Sequence, residues 1–313
     1  MKIFFIKALY LLLPILLILV YVEYNLGKIQ NVYNYKRNCL EAQLDSIEVL
    51  VLGSSESFNG INPEYFTLHG YNAGNFSQTF YYDKQIALKY VKKIPKLKYV
   101  IIPVSYFSFN AQLVDGNEAW RSYYYFQYWG IDFPELDRYD SKRYSKILLY
   151  TPLKALTYIL KGFNVNLVKG MTRNGFLPLD TTNNNIYIND SLGFKKVKTH
   201  EKYICESRFK ENNHELQSLV TELKKHNITP ILITLPVLNT YYKFVNKDIL
   251  KRNHDWIISI CEEYEILYFD YFTDSRFVQR DFHDNNHMNF IGASKFSKIV
   301  NDEILNHQNL KKQ

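Results

Sequence analysis

The amino-acid sequence predicts an α/β fold: a parallel sheet covered by helices on both faces, behind one apolar N-terminal helix. Three observations predict it. Short runs rich in Val, Ile and Leu recur at 47–53, 99–104, 229–237 and 266–271. They are apolar over most of their length, as strands buried on both faces are, and do not alternate. Segments of helical periodicity lie between them, and strands alternating with helices build parallel sheets.

The N-terminal run ALYLLLPILLILVYVEY spans residues 8–24, a length near the lower limit for crossing a bilayer core. Lys2 and Lys7 precede it, and the next cation is Lys28, so the charge bias predicts a cytoplasmic N-terminus and an exported body. Glu23, Tyr24, Asn25 and Leu26 follow with no small-x-small cleavage pattern. Residues 1–25 are therefore expected to be an uncleaved signal anchor, a single transmembrane helix with the body on the extracytoplasmic side. A cleaved signal peptide and a buried soluble helix are the alternatives. Pro14 kinks such a helix in lipid without breaking it.

Residues 26–45 are polar and are expected to be a stalk or a first helix. The domain proper is expected over 46–313. IEVLVLG at 47–53 reads as a buried strand ending in a tight turn, and GYNAGNFSQ at 70–78 as a brief strand and loop. Residues 83–93 have helical periodicity until Pro95 stops it. YVIIPV follows as a strand. Residues 106–200 then lose the pattern, with a helix-like stretch at 147–160 and an Asn-rich loop at 181–190; they are expected to be one long insertion. The pattern resumes with a helix at 205–226, a strand at 229–237, a helix at 249–264, a strand at 266–271 and a helix at 289–305.

Composition narrows the classes. The chain has 313 residues, a formal charge of +7 and 27 Tyr against 12 Gly. The lysines are scattered, with no basic patch interleaved with aromatics, so nucleic acid is not an expected partner. Cys39, Cys205 and Cys261 have no zinc-site spacing, and an odd number of distant cysteines argues against a disulfide scaffold. The tyrosines suit wet clefts and sugar-binding surfaces; codon bias in an AT-rich genome produces the same excess.

Two loops that follow strands carry candidate chemistry. Gly53-Ser54-Ser55-Glu56 presents a hydroxyl at a strand's carboxyl end, beside a helix N-terminus that favours developing negative charge. The other reading is an ordinary serine N-cap. Asp284-Asn285-Asn286-His287 places a carboxylate three residues before an imidazole, where it can fix the tautomer and leave the second ring nitrogen as a base. The other reading is a surface turn. Glu56 and Asp281 are expected in solvent. The run from Trp120 to Trp129 offers Trp120, Arg121 and Tyr124 as sugar-binding candidates; the other reading is packing of the insertion.

Together the two loops follow the order of the SGNH (GDSL-type) hydrolases, which the sequence resembles over roughly residues 45–307. Gly53-Ser54-Ser55 resembles the nucleophile block, with Ser54 at the family's Asp position. Asp284 and His287, trailed by Asn289, Gly292 and Ala293, resemble the terminal block. The resemblance implies a flavodoxin-like three-layer sheet and a Ser55–His287–Asp284 triad. It implies an oxyanion hole of Ser55 with Gly74 or Asn75, and neither metal nor organic cofactor. The family's Gly-x-Asn-Asp block is absent; Pro103-Val104-Ser105-Tyr106 stands there, with Ser105 as substitute donor. The chain is most similar to the membrane-anchored cell-envelope branch, including the D-alanyl-lipoteichoic acid transfer family. That implies a serine esterase or O-acyltransferase acting on acetyl esters of envelope glycans, partnered by a membrane-bound O-acyltransferase. The alternatives are a catalytically inactive envelope protein that binds glycan or such a partner, and a lipid-handling esterase.

Overall fold

The computed structural model describes residues 1–181 and 188–310. Most of the expected Asn-rich loop at 181–190 lies outside them. The chain forms two compact units: Met1–Arg37 with Trp120–Lys169, and Asn38–Ala119 with Gly170–Gln313.

The second unit holds a five-stranded parallel sheet: β1 (Val49–Val51), β2 (Gly70–Asn72), β3 (Tyr99–Pro103), β4 (Thr229–Thr234) and β5 (Leu267–Asp270). The order is β2-β1-β3-β4-β5, the flavodoxin-like order. β1 and β3 are buried throughout, as their unbroken apolar character requires, and β2 (Gly70-Tyr71-Asn72) is buried although it ends in a polar residue. One face of the sheet (Val49, Val51, Ile101, Ile231, Ile233) packs with Phe296, Val300 and Ile304 of α12 (Phe290–Leu310). Alternation sends Leu50, Val100 and Leu232 to the opposite face. That side carries α9 (Arg208–Lys225), against which α4 (Phe80–Tyr90) packs, and α11 (Lys247–Tyr264), which follows the short α10 (Asn239–Tyr242) and lies beside β5. Strand order reverses between β1 and β3, so the crevice at their carboxyl ends is where this topology places a ligand. The turn carrying Ser55 opens into that crevice, at the start of α3 (Ser55–Gly60).

The first unit contains α1 (Lys2–Lys28), most of α2 (Val32–Glu41), α5 (Arg121–Tyr124), α6 (Lys146–Leu149) and α7 (Pro152–Leu160). α1 is long and apolar enough to cross a membrane. Leu26, Ile29, Tyr150 and Ala155 form the unit's core. A tyrosine cluster joins Tyr33 of α2 to Tyr124 and Tyr125.

Three expectations change. Of the two readings of residues 26–45 the helix is the one that forms, as α2, and there is no extended stalk, since α1 runs to Lys28 and α2 follows within four residues. The stretch 147–160 breaks into α6 and α7 at Tyr150 and Thr151, because Pro152 bars helical backbone before it and itself starts α7. The segment 106–200 is not one insertion: 120–169 clusters with residues 1–37, while 106–119 and 170–181 belong with the sheet.

Candidate active site

Ser55 owes its position to the turn before it. Gly53 has φ +100°, and a Cβ there would stand 2.8 Å from Pro103 Cγ, so the turn requires glycine. The Gly53 N–H donates to Asp83 Oδ1 at 2.8 Å, and Gln78 Nε2 donates to the same oxygen at 2.6 Å. Ser57 Oγ donates to the Leu52 and Ser54 carbonyls at 2.7 and 2.9 Å and closes the turn from inside. Ser54 holds the N-cap position of α3 yet makes no side-chain cap bond. The capping alternative therefore fails at this turn.

His287 and Asp284 are held by their own loop. Asp284 Oδ1 accepts from the Asn286 and His287 backbone N–H at 3.0 and 2.8 Å. Asn289 then anchors the exit: its Nδ2 donates to Arg280 O and Phe282 O, and its Oδ1 accepts from Ile291 N–H and Gly292 N–H. At Gly292 a Cβ would stand 2.0 Å from the Asp281 carbonyl, so α12 can begin this close to the loop only with glycine there.

The two loops meet. Ser55 Oγ lies 2.9 Å from His287 Nε2, and His287 Nδ1 lies 2.9 Å from Asp284 Oδ2. Burial acts to raise the Asp284 pKa, but the attraction and hydrogen bond of His287 and the charge of Lys196 hold it well below the usual carboxylate range. Asp284 is thus an anion throughout the neutral range. In that form it orients an imidazole by accepting its Nδ1–H.

Further groups complete the surroundings. Glu56, expected in solvent, is 7% exposed. Its Oε1 accepts from Asn286 Nδ2 at 3.0 Å and its Oε2 accepts from the Ser105 hydroxyl. One carboxylate thereby ties the loop after β1, the loop after β3 and the Asp284–His287 loop together. Asp281, also expected in solvent, is buried and accepts from Val278 N–H and Lys295 Nζ, each at 3.0 Å. Lys196 of α8 (Asp190–Glu201) reaches Asp284 Oδ2 at 3.2 Å. One turn further along, His200 is driven down to about 3 by burial, with Lys196 adding to the effect. It is therefore neutral, and its Nδ1 shares a hydrogen bond with Tyr241 OH at 2.7 Å.

The oxyanion candidates fare unevenly. The Gly74 N–H donates to Asn72 Oδ1 at 3.0 Å and the Asn75 N–H to Gly53 O at 3.0 Å. Ser105 donates its N–H to Ser108 Oγ and its hydroxyl to Glu56. The backbone of Gly74 and Asn75 and both donors of Ser105 are thus occupied, which removes Gly74 and Ser105 from the set. Two donors are left: the Ser55 N–H in the unpartnered first turn of α3, and the Asn75 side-chain amide, whose oxygen accepts from Phe76 N–H at 2.8 Å.

Trp120, Arg121 and Tyr124 belong to the first unit, whereas Ser55, Asp284 and His287 belong to the second. Tyr124 is buried against Tyr33 and Tyr128, so its ring packs the unit's core and offers no sugar-binding face. Trp120 is 44% exposed with the Arg121 guanidinium 4.5 Å over its ring.

Glu56 and Lys196 escaped sequence reading. Glu56 is buried because its partners come from two distant loops. Lys196 lies in a segment assigned to an irregular insertion, although Asn189 caps α8 by accepting from Leu192 N–H, a legible start signal.

Fold and site together define an α/β protein that holds a serine, a histidine and an aspartate in hydrogen-bonded series at the carboxyl end of a parallel sheet. The chain is similar to a GDSL-like lipase from Bacteroides thetaiotaomicron VPI-5482, at 12% identity over 88% of this chain and 100% of that one, with a TM-score of 0.41. It is similar too to Axe2, an acetylxylan esterase from Geobacillus stearothermophilus, at 13% identity over 83% and 94%, with a TM-score of 0.36. No family model and no curated protein matches it.

Two predictions arise from these contacts. Lys196→Met removes a cation from the Asp284 carboxylate and makes protonation of the imidazole–carboxylate pair easier. The acidic limb of the pH–rate profile for ester cleavage then moves to higher pH by about half a unit to one unit. An unmoved limb refutes the coupling. The second concerns Asp83, which burial pushes up to about 7 against its Gln78 and Gly53 hydrogen bonds. The folded protein holds this proton where the unfolded chain, with a pKa of about 3.9, has lost it. The stability Asp83 contributes is complete below about pH 4 and is lost as pH rises to about 7, with a slope of up to about 1.4 kcal/mol per unit. Asn at 83 keeps the acceptor and removes the titration. Thermal melts across this window are expected to show Asp83→Asn gaining on wild type as pH rises, and parallel curves would refute it.

Proposed function

We propose that the chain is a serine esterase or O-acyltransferase acting on acyl esters, acetyl above all, of cell-envelope glycans on the extracytoplasmic side of a membrane. The observation that carries this reading is the continuous series Ser55 Oγ–His287 Nε2–Asp284 Oδ2, with 2.9 Å at each step. His287 takes the Ser55 proton as Oγ attacks the ester carbonyl. The Ser55 N–H and the Asn75 amide receive the oxyanion. The ester C–O bond breaks, and the leaving alkoxide takes the proton back from His287. Water, or a glycan hydroxyl, then gives its proton to His287 and attacks the acyl-serine; the bond from the acyl carbon to Ser55 Oγ breaks, and Oγ takes that proton back from His287. Water yields the free acid and a sugar hydroxyl yields a transferred ester. No step calls for a metal.

The side of the membrane rests on the Lys2 and Lys7 bias before α1. The glycan and a membrane-bound O-acyltransferase partner rest on the resemblance to the envelope branch. The test is turnover of p-nitrophenyl acetate and of an acetylated polysaccharide by the full chain in detergent, with a fluorophosphonate probe to map the modified residue. Turnover with adduct at Ser55 supports the reading. An inert chain with an unmodified Ser55 overturns it and leaves the binding alternative.

A further inference from the structure

We propose that α7 is an interfacial helix that docks its outward face onto the lipid surface beside the exit of α1. The proposal rests on α1 spanning a bilayer and is independent of the esterase reading. Two contacts set the height of this part of the unit. Glu23, at the end of the apolar run of α1, accepts from Ser145 Oγ at 2.9 Å and Ile147 N–H at 3.1 Å, so the start of α6 is fastened there. Leu26 of α1 shares a core with Tyr150 and Ala155, which fastens α7 about one turn beyond the apolar run. Tyr21 also meets Phe163, just past α7, edge to face with ring centres 6.0 Å apart. This level is where a headgroup layer meets the acyl chains.

The sequence of α7, PLKALTYIL, suits that level. Ala155 and Tyr158 turn toward the core with α1. Leu153, Leu156 and Leu160, spaced three and four residues apart, form the opposite stripe, and they are 75%, 51% and 78% exposed. A soluble helix ordinarily turns polar residues outward, and a row of bare leucines beside a membrane-length helix marks a lipid contact. Lys154 and Lys161 flank the stripe on one side, where long cationic side chains reach anionic headgroups. Pro152 at the first helical position starts α7 afresh after Tyr150, which lets it leave the line of α6. The occupant we assign is the bilayer itself, because the stripe is bare and apolar and α7 is fastened beside a membrane-length helix.

The test uses the full chain in liposomes containing phosphatidylglycerol. Cys39, Cys205 and Cys261 are replaced by serine, and single cysteines carrying a nitroxide are placed at 153, 156, 160, 154 or 161. Flotation first reports whether α1 anchors the chain. Oxygen and a water-soluble nickel chelate then compete for each label. Labels at 153, 156 and 160 are expected to favour oxygen several-fold over those at 154 and 161. Equal aqueous access at all five positions overturns the proposal. Shielding of the stripe from both reagents does so too, since it means that another protein copy covers the leucines. A chain that does not float removes the premise and equally overturns it. None of these outcomes touches ester cleavage, which is read on the same samples.

Discussion

Ser55→Ala is expected to lower the turnover of p-nitrophenyl acetate by about 10⁴-fold or more. The hydroxyl is the atom that bonds to the acyl group, and no neighbouring side chain replaces it. Ser54 Oγ is buried, and Ser57 Oγ is committed to two carbonyls inside the turn. His287→Ala is expected to fall to nearly the same floor, and the double variant no lower. Hydroxyl and imidazole act as one unit, so removing either removes the activated nucleophile. The substitutions are small and sit at half-buried positions, so thermal melts should stay close to wild type. Undiminished turnover in Ser55→Ala would show that the 2.9 Å contact serves structure alone.

The second large effect falls on Asn75. With the Gly74 N–H and the Ser105 hydroxyl committed elsewhere, the Asn75 amide is the side-chain donor left beside the Ser55 turn. Its own N–H, bonded to Gly53 O at 3.0 Å, pins it there. Asn75→Ala should cost about 10²- to 10³-fold in kcat with little change in KM, since an oxyanion donor acts in the transition state. Ser105→Ala should cost less than about tenfold, the worth of one ordinary hydrogen bond to Glu56. Steady-state kinetics on both variants decides the matter. A larger loss at Ser105 than at Asn75 would reverse the assignment of donors.

Much of the sheet was readable in the chain. The runs at 47–53, 99–104, 229–237 and 266–271 contain β1, β3, β4 and β5; in the first three this follows because strands buried on both faces must be apolar, whereas β5 is a half-exposed edge strand ending in Asp270. The Ser55 turn and the Asp284–His287 loop were readable for a related reason. Each is a local device, one built on a left-handed glycine and the other on a carboxylate that accepts from its own backbone. Most of what lies between 106 and 200 was not readable, because its partners are remote; the Asn189 cap of α8 is the exception. The tyrosines near 124 look like a surface for sugars until Tyr33 arrives to pack against them.

By itself the sequence determined the strands, the membrane-length helix and the two loops that carry the serine and the histidine. Backbone conformation and burial on both faces are written in neighbouring residues. Only the tertiary structure decided that Ser55 and His287, 232 positions apart, face each other at 2.9 Å. It alone decided that Glu56 is buried between loops, that Lys196 reaches Asp284, and that Gly74 and Ser105 have no donor to spare. Each of those outcomes depends on which distant polar group fills a given hydrogen bond. Buried donors and acceptors must be satisfied from whatever the fold brings near, and local residue order does not say what that will be.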